Sequence, residues 1–466
     1  MKLTERASRT NALLISICTP ELNGDEAVES LAELARLVTT LGFKVVGSQM
    51  QKLSSTNRVN VLGSGKLADI AQLTGNQGEV QGSQENELTA DEIDIASLPE
   101  NISSENLPYG CADVVVFDCD LTPSQLRNVE NQLGVEVFDR TGIIIEIFSR
   151  HARTKTAKVQ VEIARLNYVA PRLREASTGD KEREMGKGAG ETALELNRRK
   201  VRDQLAALKH ELASLQDEMK GRRTLRSDKF CVALVGYTNA GKSSLMRAIT
   251  GSVVEGENKL FATLDTTVRA LYPETQPRIL VSDTVGFIKK LPHDLVASFH
   301  STLAEAQDAS LLLYVVDASD PSFRAQLDVV HQVLEEVGVE DSEKLLVLNK
   351  SDLLSTEQQQ ALLEEFPDAM MTSARDADDI SKLHKYIKST SLDGMIEEEI
   401  IVPYTAKGII GEIRSVMSVT KEEYEYEHIK LTVRSSAINL AKLKKRMDAL
   451  AGKKDSKARD KWQLRS

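Results

Sequence analysis

The sequence predicts a multidomain α/β protein. It comprises an N-terminal α/β subdomain, an antiparallel helical hairpin, a nucleotide-binding domain with a mostly parallel sheet and helices on both faces, and a small α+β C-terminal domain. Three observations predict this. Strand-like apolar runs alternate with amphipathic helices over residues 11–140 and again over 229–390. Two stretches between them carry apolar residues at heptad spacing. A GxxxxGK[ST] loop, Gly236 to Ser243, stands between a strand and a helix. The expected boundaries are 1–145, 146–225, 226–395 and 396–466, with an acidic insertion at 74–110.

Taken in order, NALLISI reads as a strand. Asp25–Leu41 reads as a helix with Ala27, Leu31, Leu34, Ala35 and Val38 on one face. KVVGSQM, VNVLG, ADVVVFD and VEVFD read as further strands. Thr122-Pro123 reads as a helix start with proline in the first turn. Gly63-Ser64-Gly65-Lys66 lacks phosphate-loop spacing and reads as a tight turn before a helix. Residues 74–110, rich in Gly, Gln, Asn, Ser and acid, read as a surface loop with a short helix around Thr89–Ala96.

Phe148, Ala152, Val159, Ile163, Leu166 and Ala170 then form one apolar seam, which Pro171 is expected to end. Leu194, Val201, Leu205, Leu208, Leu212, Leu215 and Met219 form a second. Joined by Pro171–Gly190, the two predict the hairpin. Beyond the nucleotide domain, Glu397–Glu399 mark a junction, and residues 400–466 hold two or three short strands and helices.

The net charge of −11 argues against a nucleic-acid partner, but its distribution reverses the argument. No Lys or Arg lies between Lys66 and Arg127, and Glu79–Glu105 holds eight carboxylates. Arg150, Arg153, Lys155, Lys158, Arg165, Arg172 and Arg174 face only Glu146 and Glu162, which is a charge pattern able to neutralise phosphates. The tail from Leu440 carries ten Lys/Arg against three Asp. The four cysteines have neither CxxC nor zinc spacing and read as free thiols in a reducing compartment. The apolar run Ala12–Cys18 is too short for a signal peptide, and no stretch approaches a membrane span, so a cytoplasmic protein is expected.

Chemistry concentrates in five loops. In Gly236-Tyr237-Thr238-Asn239-Ala240-Gly241-Lys242-Ser243, glycines let the backbone wrap phosphate, Lys242 reaches the β- and γ-phosphates, and Ser243 ligates Mg²⁺. Asp283-Thr284-Val285-Gly286 follows a strand: Asp283 is expected to hold Mg²⁺ through water, and the Gly286 N–H to meet the γ-phosphate. In Asn349-Lys350-Ser351-Asp352, the Asp352 carboxylate can accept from both guanine N1–H and its 2-amino group, a pair adenine lacks. Lys350 would cover the base, and Asn349 would tie this loop to the phosphate loop. Ser373-Ala374-Arg375 would offer backbone N–H to the guanine carbonyl. Phe261-Ala262-Thr263-Leu264-Asp265-Thr266-Thr267 must hold the γ-phosphate sensor; its three threonines are all candidate Mg²⁺ ligands, and spacing does not choose among them.

Together GYTNAGKSS, LFATLD, DTVGFIKKLPHDLVASFHSTLAE, NKSD and SAR resemble the HflX family of ribosome-associated P-loop GTPases. The N-terminal DLTPSQLRNVE, DRTGIIIEIFSRHARTKTAKVQVEIARLNYVAPRL and GAGETALELNRR resemble that family too. The resemblance covers nearly the whole chain except 74–110 and the end of the tail. It implies a P-loop GTPase domain, GTP/GDP as ligand with Mg²⁺, Thr263 as the switch ligand, and hydrolysis supported by Lys242, Thr263 and Gly286. It also implies a monomer that binds the large ribosomal subunit, with a role in splitting or rescuing stalled ribosomes under stress. Gly188-Ala189-Gly190-Glu191 departs from the family's GPGE. After DxxG stands Phe287, where Ras-like enzymes carry a water-orienting glutamine, so slow turnover raised by a partner is expected. Two other functions compete: a ribosome-assembly or RNA-remodelling factor whose nucleotide only gates binding, and a nucleotide-regulated protein scaffold using the acidic insertion.

Overall fold

The computed structural model describes residues 10–20, 24–53, 61–76, 110–175, 193–224, 229–251, 261, 267–275, 278–289, 305–339, 342–393, 395–406, 408–435 and 439–447. It falls into two compact units. The first comprises residues 1–215 with 259–264 and 289–299; the second comprises 216–258, 265–288 and 300–466.

The first unit is built on a four-stranded sheet of order β2-β1-β3-β4, all parallel. Its strands are β1 (Asn11–Cys18), β2 (Lys44–Lys52), β3 (Val114–Phe117) and β4 (Glu136–Asp139). β1 is central and buried almost throughout, as a continuous apolar run in a covered parallel sheet should be. Between strands run α1 (Gly24–Thr40), α2 (Ser64–Leu73) and α3 (Pro123–Leu133). The five apolar residues expected on one face of α1 are all buried. α3 starts at a capping box: Gln125 N–H donates to Thr122 Oγ1 (3.3 Å), and Thr122 N–H donates to the Gln125 side chain (2.9 Å). Gly63 is the N-cap residue of α2, as the tight-turn reading anticipated. Val61 and Leu62 of the expected strand VNVLG are buried but lie in a bend, because Val61 has a left-handed φ of 64°; Val59 and Asn60 lie outside the described residues. The helix expected around 89–96 also lies outside them.

The helical segment differs from expectation at two points. Phe148 belongs to α4 (Arg140–His151), which follows β4 directly and ends at Ala152; a new helix, α5 (Lys155–Glu175), starts beyond it. Pro171 lies inside α5 rather than ending it. The turn is anchored by Arg172, which donates to the Tyr168 carbonyl (2.8 Å) and to Asp139 Oδ2 (2.9 Å). α5 buries Ala157, Val159, Val161, Ile163, Ala164 and Leu166, a face wider than a heptad seam, and packs on α3 and α4. From Val201 to Met219, α6 (Ala193–Thr224) keeps its seam half-buried between exposed flanks, and Lys155 pairs with Glu211 at 2.7 Å.

Asp139 is where these elements meet. Its carboxylate caps α4 through Gly142 N–H (2.8 Å) and accepts from Tyr168 Oη (2.5 Å) as well as Arg172. The Arg172 guanidinium stacks 3.2 Å from the Tyr168 ring centroid. Burial pushes the Asp139 carboxyl above the usual carboxylate range, against the pull of Tyr168 and Arg172.

The second unit contains a six-stranded sheet, β10-β9-β8-β5-β7-β6, parallel except for β6. Its strands are β5 (Cys231–Val235), β6 (Thr267–Ala270), β7 (Leu280–Asp283), β8 (Leu311–Asp317), β9 (Glu343–Asn349) and β10 (Met370–Met371). α7 (Lys242–Thr250), α8 (Phe323–Glu336), α9 (Thr356–Glu365) and α10 (Ala377–Leu392) accompany them. β5 lies between β7 and β8, so the chain order reverses there. The carboxyl end of such a switch point is where open α/β sheets bind ligands.

The C-terminal part is an antiparallel sheet, β11-β13-β12, from β11 (Ile396–Pro403), β12 (Ser418–Tyr424) and β13 (His428–Ser435). α11 (Ile409–Val416) supplies Ile409 and Ile413 to a core with Ile400, Val402, Ile429, Leu431 and Val433. The period-two pattern of β13 makes one face apolar; on the strand, Lys430 and Arg434 pair with Glu399 and Glu397, both at 2.9 Å. Among the described residues no helix is long and apolar enough to cross a membrane.

Candidate functional site

The loop after β5 is held open by glycine. Gly236 has φ 153°, and a Cβ there would lie 2.1 Å from the Val315 carbonyl oxygen. Gly241 has φ 93°, and its Cβ would lie 2.1 Å from Asn349 Nδ2. Asn349 Nδ2 donates to the Ala240 carbonyl at 2.8 Å, which joins the end of β9 to the loop. Lys242 opens α7 and is buried. Its ammonium donates to the Gly236 (2.9 Å) and Tyr237 (2.7 Å) carbonyls. Burial lowers its pKa to about 8, although nearby Asp283 raises it.

Ser243 Oγ donates to Asp283 Oδ2 at 2.7 Å. Two hard oxygen atoms side by side are of the kind that would suit Mg²⁺ rather than a soft metal. Thr284 anchors the strand end by donating to the Leu234 carbonyl at 2.7 Å. Gly286 passes so close that a Cβ would meet Thr238 Cα at 2.9 Å and Lys242 Nζ at 3.0 Å. Phe287 is buried. Its N–H donates to Gly236 O (3.2 Å), and its carbonyl accepts from Thr238 N–H (2.8 Å).

On the far side, Lys350 adopts φ 62° and its ammonium reaches Asp317 Oδ2 at 2.5 Å. Asp352 accepts from Ser373 Oγ at 2.7 Å, and Arg375 approaches its other oxygen at 3.6 Å. Ser373 N–H is in turn fixed by Asp379 (3.0 Å). Four of the five expected loops thus converge at the carboxyl ends of β5, β7, β9 and β10. Of the fifth, Phe261 is described, while Ala262, Thr263, Leu264 and Asp265 lie outside the described residues. Asp317 was missed from the sequence. Its signal was its place at the end of an apolar strand, in VVDASD; in the sheet it stands directly opposite Asn349.

A strand–loop–helix phosphate cradle beside a serine–aspartate oxygen pair and an Asn-Lys-x-Asp base loop defines a P-loop GTPase. Family models described as GTP-binding GTPase N-terminal, GTP-binding GTPase Middle Region and 50S ribosome-binding GTPase match residues 28–91 with 100–149, 151–226 and 231–350. The chain is 50% identical to GTPase HflX of Gluconacetobacter diazotrophicus over 94% of its own length and 98% of that protein's. It is 36% identical to GTPase HflX of Escherichia coli over 73% and 82%, respectively. A crystal structure titled as the complex of SsGBP and GDP is similar with TM-score 0.45 and 24% identity, over 82% of this chain and 98% of that one. The chain belongs to the HflX family; it binds GTP and hydrolyses it to GDP and phosphate.

Proposed function

We propose that this chain is a cytoplasmic GTP-gated factor of the large ribosomal subunit that splits or rescues stalled ribosomes. The observation that carries this is the match of the 50S ribosome-binding GTPase model to residues 231–350, which span the phosphate loop, Asp283 and Asn349. In this reading the loop N–H groups and Lys242 hold the phosphates. Ser243, Thr263 and, through water, Asp283 hold Mg²⁺, which neutralises phosphate charge when bound. Gly286 N–H meets the γ-phosphate, and Asp352 reads guanine. Buried Phe287 can neither donate to nor accept from the attacking water through its side chain, so turnover is slow alone and rises with ribosomes.

The basic helix needs revision as the RNA contact. Arg150, Lys155, Arg165 and Arg172 are engaged by Glu146, Glu211, Glu162 and Asp139. Exposed Lys158 on α5, with Lys200 and Arg202 on α6, better fit contacts to ribosomal phosphate.

Two measurements test the reading. With a non-hydrolysable GTP analogue the protein should sediment with large subunits, more weakly after Lys200→Glu with Arg202→Glu. Added with GTP to intact ribosomes, it should release free subunits. Sedimentation without release would favour the assembly or remodelling role; neither would leave the ribosomal reading without support.

The Lys242 pKa adds a pH signature. A bound phosphate favours the ammonium and raises its pKa above the value of about 8 in the free protein. Binding therefore takes up a proton above pH 8. GTP affinity should fall by up to about tenfold per pH unit there, and be insensitive to this group below. Titrations of a fluorescent GDP between neutral and alkaline pH check the sign.

A further inference from the structure

The second unit contains a cavity of about 320 Å³ that none of the nucleotide loops lines. β8 and β9 supply Tyr314 and Leu346, which stand opposite one another in the sheet. α8 supplies Leu327 and His331, and the turn after α9 supplies Phe366. Small-molecule sites occupy roughly 300–1,000 Å³ and are mostly apolar with a few placed polar groups. This cavity follows that pattern.

One of its polar groups is unsatisfied. Tyr314 is 3% exposed, and its hydroxyl makes no hydrogen bond with any described residue. A buried phenol ordinarily finds a partner. The ring is fixed by stacking on His331, with centroids 4.8 Å apart and planes inclined by 23°. Burial, and then the nearby Glu335 carboxylate, push the phenol above its ordinary range, so it stays a neutral hydroxyl able to donate and accept.

The rim carries both signs of charge. Lys344 is the second residue of β9, Asp368 lies two residues before β10, and both are exposed. Met370 of β10 pairs with Val347 of β9, so the two charges stand at the amino ends of neighbouring strands. Neither forms an ion pair with a described residue. Glu365, the other carboxylate of the lining, is already held by Arg324 at 2.7 and 2.5 Å. One free ammonium and one free carboxylate therefore border an apolar interior.

We propose that this cavity binds a small aromatic zwitterion of the size of an aromatic amino acid. Its ring lies against Leu327, Leu346 and Phe366, its carboxylate meets Lys344, its ammonium meets Asp368, and a polar atom of the ring reaches the Tyr314 hydroxyl. A flat ring suits a cleft that has His331 on one wall and Phe366 on another. A simple anion or cation would meet one rim charge and be repelled by the other.

L-tryptophan is the probe, titrated calorimetrically into the full-length, GDP-loaded protein. Indole-3-propionate, which lacks the ammonium, and tryptamine, which lacks the carboxylate, are titrated beside it. Tryptophan should bind saturably and about threefold tighter than either analogue, the effect of one exposed ion pair. Tyr314→Phe should weaken it about fivefold through loss of one hydrogen bond. Lys344→Ala should erase the advantage over tryptamine, and Asp368→Ala the advantage over indole-3-propionate. GDP affinity should be unchanged in all three variants. Absence of saturable tryptophan binding overturns the proposal. So does equal binding of the three indoles, or tryptophan binding unaltered by Tyr314→Phe and Lys344→Ala, since the site would then lie elsewhere. If Tyr314→Phe does not fold, the two variants at exposed positions decide the matter.

Discussion

Lys242→Ala should weaken GTP and GDP binding by about a thousandfold or more while the protein keeps its fold. The loss is large because the ammonium sits in a dry site, where its attraction to phosphate is weakly screened. The fold should survive because burial makes this charge a cost in the free protein, as its lowered pKa of about 8 reports. Removing it leaves the Gly236 and Tyr237 carbonyls without their donor, an offsetting loss of about 1–3 kcal/mol. Equilibrium binding of a fluorescent GDP, with thermal melting of the nucleotide-free variant, separates the two effects. Near-normal affinity would remove Lys242 from the phosphate site.

Asp352→Asn should lower GTP affinity by about a thousandfold and raise affinity for xanthosine triphosphate. Two hydrogen bonds from guanine to a charged acceptor are each worth about 1.5–3 kcal/mol. The substituted amide offers a donor that faces guanine's own donors but suits the xanthine carbonyl. Asp352 is well placed to show this cleanly. Ser373 fixes one of its oxygens at 2.7 Å, and the Arg375 contact at 3.6 Å is mostly exposed and readily exchanged for ligand. Competition between the two triphosphates measures the switch, and unchanged GTP preference would assign base reading to another residue.

The strands and the loops at their ends were legible because each carries local chemistry. An apolar run, a glycine that must adopt positive φ and an Asp at a strand end are all visible without knowing the neighbours. The helical segment was harder. Phe148 and Ala152 fit the heptad drawn through Val159, but Phe148 belongs to a helix that begins at the Asp139 cap and Ala152 is where that helix ends. Pro171 reads as a stop because it lacks an N–H; only Arg172 reaching Asp139, thirty-three positions away, shows why the helix continues. Charge was misread for the same reason. A run of basic residues looks free until its carboxylate partners, some of them distant, are located.

The backbone of Phe287 is stitched to the phosphate loop and its ring is buried. A glutamine introduced at this position by mutation would not inherit the water-orienting office it holds elsewhere. Its amide would occupy the space of the ring, at a desolvation cost of about 1–3 kcal/mol, or leave that space empty. Phe287→Gln alone is therefore not expected to raise the rate of GTP hydrolysis, which a turnover assay of the variant checks.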